Sequence, residues 1–400
     1  MMPLFVVTLP VLILLCGLSI DLGRLELQEQ RMQTAADAAA ISAELEAERG
    51  TGNWISIGQQ DAAQNGFTNG AGSTTVTVVQ FANYGAYNGR YDGLQVTITQ
   101  QVKTLFMGAL NGGYVTAKAQ SVAQITPCVY LLGTTQQPYT LDGATGDFKS
   151  ESCPFNINNN IYTQVMSLVP EALNVAGSAG SSSINGYEFP TPNYNYATVT
   201  DPLSYIASPS FGGSCNHTGY SLYNISTNTT LSPGTYCGGL SITNSNATLN
   251  PGLYVITGGA NWYNSTITGT GVTLYFTSGG GSGDSKFIIS GGCNITISAP
   301  TASSSTSGVI AGILVFADRN WTPTNPQDFD IISSTFTGDG IWYLPKAGLY
   351  IYNSGIVTGT NYFGIVADNM TISGTSVRPL NNYSYVATGN PFRTQAPLVQ

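Results

Sequence analysis

Residues 1–20, MMPLFVVTLPVLILLCGLSI, contain no charged side chain, and at about 1.5 Å per residue a helix of that length is about as long as a hydrocarbon core is thick. The apolar positions Leu4, Phe5, Val6, Val7, Leu9, Val11, Leu12, Ile13, Leu14, Leu15, Leu18 and Ile20 need cover from something other than water. Polarity rises over DLGRLELQEQRMQTAADAAAISAELEAE (21–48), but helix formers persist without a proline, so one helix is predicted to run on into solvent. Pro3 falls in the first turn and Pro10 at a tolerated kink. Asp21 and Arg24 share a helix face at the rim of the apolar run, where they can pair. A cleaved secretory signal fits poorly, because no basic residue precedes the run and the run merges into a longer helix. The bulk of the chain on its C-terminal side predicts an exported body.

Gly50 to Asn53 stops the helix, and ISIGQQDAAQNGF (55–67) reads as a short second one. The period then changes to two: 74–81, 94–102 and 114–125 alternate apolar and polar residues and predict three antiparallel strands. From Cys128 onward, short Val/Ile/Leu/Tyr/Phe runs recur between Gly, Asn and Ser, with the richest at 253, 272, 313, 341 and 363, about twenty residues or a multiple apart. That texture predicts an all-β parallel β-helix with three short strands per coil, in preference to a β-sandwich. Residues 156–214 are less regular and read as a poorly repeating first coil followed by an excursion across the surface. The expected domains are 1–49 (long helix), 50–127 (short helix and small sheet, an α+β module together with the first) and 128–400 (β-helix).

Charged residues make up only 8% of the chain, the net charge is −9 and the pI about 4.4. Twelve scattered basic residues cannot form a nucleic-acid footprint. Of six cysteines, Cys16 lies in the apolar helix. Cys128 with Cys153, and Cys215 with Cys237, have separations that fit one coil, whose neighbour lies about 4.8 Å away. These four allow three connectivities, and Cys293 is left over. Asn-x-Ser/Thr sequons at Asn216, Asn224, Asn228, Asn246, Asn264, Asn294, Asn320, Asn369 and Asn382 are candidate glycan acceptors or, alternatively, members of stacked amide ladders.

Carbohydrate-active chemistry would need clustered carboxylates. Asp318, Asp328, Asp330 and Asp339 are the candidates, with a Ca²⁺ site as a variant, but an ordinary polar loop is the simpler reading. His217 is the single histidine, which gives little support to a zinc site or a Ser/His/Asp triad. The tract SGGGSGD (278–284) lacks the Lys-Ser/Thr and helix of a phosphate cradle. No cofactor, metal or catalytic residue is expected.

The residues Asp21, Gly23, Arg24 and then Gln33, Ala35, Ala36, Asp37, Ala38, Ala39, Ala40, after an apolar span, resemble the N-terminal module of TadE/TadG-like (tight adherence) proteins associated with Flp pilus assembly. The stretch 128–320, with LSPGTYCGGLSI and LNPGLYVITGG, is similar to the right-handed β-helix that follows this module in many bacterial envelope proteins. Phe5 departs from the glutamate that pilins carry at that position. The resemblance implies an exported, pilus-associated protein without catalytic residues. The expectation is a pilin-like subunit whose partners are copies of itself. It would be held in the inner membrane before assembly, with Ala35, Ala36, Ala38, Ala39 and Ala40 letting neighbouring helices approach. A single membrane-anchored adhesin for surface polysaccharide is the alternative, and a carbohydrate-active enzyme the third.

Overall fold

The computed structural model of the chain describes residues 2–48, 52–80, 93–107, 113–124, 126–134, 140–150, 153–170, 172–180, 192–210, 214–225, 227–277, 286–303, 308–320 and 329–392, with side chains of the first helix from Leu15 to Ala47. The chain divides into two compact units, the first reaching Ile125 and the second running from Thr126 to Thr394.

In the first unit, helix α1 spans Met2–Glu48 without a break and α2 spans Trp54–Gln64. Strands β1 (Thr74–Val79), β2 (Gly93–Lys103) and β3 (Tyr114–Gln124) form a three-stranded antiparallel sheet in the order β1-β2-β3. Its inward residues, among them Val76, Val78, Val96 and Ile98, close on Met32, Ala35, Ala36, Ala39, Ala40 and Ala43 of α1. The alanine run therefore serves close approach inside the module. Gly58 of α2 lies where an added Cβ would come within 3.2 Å of the Ala43 methyl and 3.3 Å of the Ala39 carbonyl oxygen. Ala35, Ala36, Ala39 and Ala40 are fully buried in this way and Ala38 is half-buried. For Ala35, Ala36, Ala39 and Ala40, the expected packing between copies is thus replaced by packing within one chain.

Among the described residues no helix is long and apolar enough to cross a membrane. The positions Leu4, Phe5, Val6, Val7, Leu9, Val11, Leu12, Ile13 and Leu14 lie outside the described side chains, so the spanning segment remains an expectation from sequence.

The second unit is a stack of coils joined by parallel pairing from coil to coil, which supports the β-helix reading. Its order is not the order of the chain. Val129–Leu131 pairs with the late strand Tyr362–Ser373, and Leu141–Lys149 pairs with both that strand and Thr375–Arg378. Two further strands, Phe155–Ile157 and Leu173–Val175, continue the stack beyond it. The chain thus starts in the interior of the stack and builds one end. It then passes to the opposite end at His217–Tyr223 and winds back until it meets its own first coil. Within the irregular segment 156–214, the described strands Ile161–Val169 and Leu173–Val175 belong to end coils.

Large apolar side chains fill the lumen. Phe287 has ring contacts with Trp262, Phe276, Phe329 and Trp342, at centroid separations from 4.8 to 6.4 Å. At one corner, buried small side chains recur once per coil: Ser245, Ser265, Cys293, Ser334 and Ser354. Each supplies an acceptor to the backbone N–H of the preceding coil's equivalent residue, and each donates to a carbonyl two or three residues before itself. Cys293 occupies a serine's place in this column, which accounts for the unpaired cysteine. Cys128 is bonded to Cys153 and Cys215 to Cys237, with Cα–Cα distances of 5.7 and 5.6 Å, while Cys16 and Cys293 are free.

Candidate functional site

In the first unit the rim of α1 is organised by Asp21. Its carboxylate accepts from the backbone N–H of Leu105 at 2.8 Å and from those of Phe106 and Met107 at 2.7 Å. Burial of the carboxyl opposes ionisation, but the donors Met107, Leu105 and Phe106 prevail, with the Arg24 charge adding to them, and its pKa is lowered. One turn earlier, a Cβ at Gly17 would run into the Phe106 ring. Gly17 and Asp21 together thus dock the segment after β2 on the helix. Sequence reasoning assigned Asp21 to Arg24, because a loop 84 residues away leaves no local signal.

Around this clamp α1 presents apolar side chains to solvent: Leu15 is 54% exposed, Ile20 50% and Leu22 51%. Leu18 and Leu27 join them. Lower on the same helix the alanines and Met32 face the sheet, while Ile41 and Leu45 on the opposite side are exposed.

The coil stack has three faces. The first carries Val255, Tyr275, Phe316, Tyr343, Val366 and Tyr130 outward, and chain segments containing Leu203, Tyr383, Val386 and Phe392 cover it. Arg319 fastens the cover. It donates to the carbonyls of Ile206 and Leu203 at 2.7 Å and to the Tyr343 hydroxyl, which in turn donates to Asp201. Asp318 accepts from Tyr275 and Thr277. On this side, too, Asn158 bonds both the N–H and the C=O of Val199.

The second face carries exposed tyrosines. Tyr350 and Tyr352 lie with ring planes 8° apart at 5.9 Å, and Tyr263 is 47% exposed. Beside Tyr350 in register lies Asp330, whose Oδ1 is buried without a hydrogen-bond partner. Burial pushes its carboxyl up to about 6, against the pull of Lys286.

The third face is built from the strands Asn246–Leu249, Thr266–Thr270, Asn294–Ser298, Thr335–Thr337 and Ile356–Thr358. Register aligns Thr230, Thr248, Thr268, Thr296, Thr337 and Thr358 in one outward column. Two residues earlier on the strands, a parallel column runs Asn246, Thr266, Asn294 and Thr335. Between them Ala247, Ile267, Ile295, Phe336 and Val357 point inward and are buried. Neither column has a charged residue before Arg378, the partner of Thr358. Thr248 and Thr268 share a hydroxyl contact of 3.1 Å and Thr335 donates to Asn294. At the adjoining corner Asn224, Asn244 and Asn264 take positive φ of 54°, 50° and 46° and form an amide ladder. Two sequons, at Asn224 and Asn264, are therefore ladder members. Among the others, Asn216 accepts from Thr235, Asn228 donates to Thr248, Asn369 to Asp368, and Asn382 accepts from Ser384.

The candidate carboxylates do not converge. Asp318 accepts from Tyr275 and Thr277 on the covered face, Asp339 accepts from the amides of Thr360 and Asn361 in a turn, Asp330 stands on the tyrosine face, and Asp328 lies outside the described residues. Among the described residues no group of three His, Cys, Asp or Glu could hold a metal ion. His217 stacks on Tyr236 at 4.5 Å. The threonine columns escaped sequence reasoning because their spacing varies: adjacent coils are 20 residues apart at Thr248 and Thr268 but 41 apart at Asn294 and Thr335.

No curated protein and no solved structure matches the chain. Residues 1–63, which contain α1 with Asp21 and nearly all of α2, match the family model Tad, described as putative Flp pilus-assembly TadE/G-like.

Proposed function

We propose that the chain is a pilin-like structural subunit of a bacterial surface filament, assembled through the N-terminal part of α1, with the coil stack displayed outside. The observation that carries this reading is the exposed apolar rim, Leu15, Leu18, Ile20 and Leu22, on a helix whose lower half buries its alanines. It continues an uncharged run of twenty residues. Covering each such side chain contributes about 1.5–3 kcal/mol, so a few neighbouring rods supply strong cohesion without covalent links. The Tad match over residues 1–63 supports the same context. Before assembly, residues 1–20 would rest in the inner membrane, the other apolar medium that a rod of this kind encounters.

Deleting residues 1–20 tests the proposal. The expected product is a soluble monomer with an unchanged far-ultraviolet β signature, and filaments formed by that truncation contradict it. A second reading, a surface adhesin for polysaccharide, is favoured by one feature, the parallel rings of half-buried Tyr350 and exposed Tyr352, with Tyr263 exposed three coils away along the same face. Electron micrographs of sheared surface material separate the two, since the adhesin leaves no filament. We propose no catalytic role: Asp318 and Asp339 already serve as hydrogen-bond acceptors within the fold.

A further inference from the structure

We infer that the threonine face binds a crystalline lattice of water, that is, the surface of ice. Side chains on this face form a grid fixed by covalent and sheet geometry: about 4.8 Å from coil to coil and about 6.7 Å between the two columns along each strand. Threonines fill one column without interruption from Thr230 to Thr358, and Asn or Thr fills the other from Asn246 to Thr335. A soluble ligand needs only a few convergent groups, whereas a two-dimensional grid is matched in full only by a partner that repeats in two dimensions.

The chemistry narrows the lattice. Ionic minerals bind through arrays of carboxylates or cations, and neither column holds a charge before Arg378. Crystalline glycans are gripped by exposed aromatic rings, which this molecule places on the separate tyrosine face. What remains on the threonine face is the threonine hydroxyls and the amides of Asn246 and Asn294 to anchor water, and the threonine methyl groups to order it, at fixed spacing. The repeat is close to the oxygen spacing on a prism plane of hexagonal ice.

The grid is also held before any contact. Threonine has few side-chain states, the inward residues Ile267, Ile295 and Phe336 are buried beneath it, and the Asn244–Asn264 ladder fixes the adjoining corner. Little side-chain order is then lost on adsorption. Each hydroxyl contributes only about 0.5–1.5 kcal/mol, so adsorption depends on many acting together.

The test uses the full chain, fluorescently labelled on lysine, offered in parallel to a slowly growing ice shell, to microcrystalline cellulose and to chitin. The expected result is enrichment in ice and none on the glycans. Thr268→Tyr, which raises a ring above the middle of the grid and lifts several neighbours off the surface, should lower the ice partition by about tenfold or more. Tyr352→Ala, on the other face, should leave it unchanged. Thr296→Tyr on the next coil repeats the measurement, and an unaltered thermal unfolding curve establishes that each variant is folded. Exclusion of the wild-type chain from ice, equal partition of folded Thr268→Tyr and Thr296→Tyr with the wild type, or capture by a glycan that these substitutions abolish would each overturn the inference.

Discussion

At the scale of single residues, the most informative positions are those where a polar atom is placed with or without a partner. Asp330 is raised to about 6 by burial, so its ionised form opposes folding. The folded state binds this proton more tightly than the unfolded state, and stability contributed by the protonated carboxyl is lost as pH rises from 3.8 to about 6. Asp330→Asn should therefore raise the melting temperature above pH 6 and show no gain at pH 3.5, measured by calorimetry across that range. Asp21 has the opposite sign. Its lowered pKa means that the clamp is held above the ordinary carboxylate range and released only as pH falls through the lower folded value. Hydrogen exchange at the Leu105, Phe106 and Met107 amides should stay slow at mildly acidic pH in the wild type and become fast in Asp21→Ala. Cys293 completes a serine column, so Cys293→Ser should be nearly neutral. Cys293→Ala leaves the Ser265 N–H unpaired in a buried site and should cost about 1–3 kcal/mol in urea unfolding.

Among elements, legibility followed locality. The long helix, the three alternating strands 74–81, 94–102 and 114–125, and the change of texture at Cys128 could be read because each is encoded by neighbouring residues. The role of the alanines could not: Ala35, Ala36, Ala39 and Ala40 look the same whether they meet a copy or, as here, the chain's own α2 and sheet. The threonine columns were hidden by unequal coil lengths, and the Asp21 clamp by the distance to its loop. The serine column was written in the sequence as Asn-Ser at 244–245, 264–265 and 353–354, but Gly-Cys at 292–293 and Ser-Ser at 333–334 interrupt the motif while keeping the geometry. The Cys215–Cys237 bridge ties an end coil to its neighbour and closes 22 residues. Replacing both cysteines by serine should cost about 2–4 kcal/mol, seen as a lower urea midpoint with fraying confined to the coil that begins at His217.

For the whole molecule, the unexpected feature is the order of the stack. Because the coil at Val129–Leu131 rests on Tyr362–Ser373, the chain must be nearly complete before its first coil finds that partner, which makes folding dependent on very distant contacts. A chain ending at residue 360 should be cut by protease within 129–175, whereas the full chain should resist. The same order brings the two ends of this unit together within the stack, as the Tyr130–Phe392 ring contact at 5.2 Å shows. The account of function depends on the fate of the apolar rim of α1. Cryo-electron microscopy of surface filaments containing this chain tests it most directly: residues 1–22 should lie on the filament axis, packed against the same residues of neighbouring subunits, with the coil stack outermost. A map with that segment at the periphery and exposed to solvent, or filaments held together through the coil stacks alone, would contradict it.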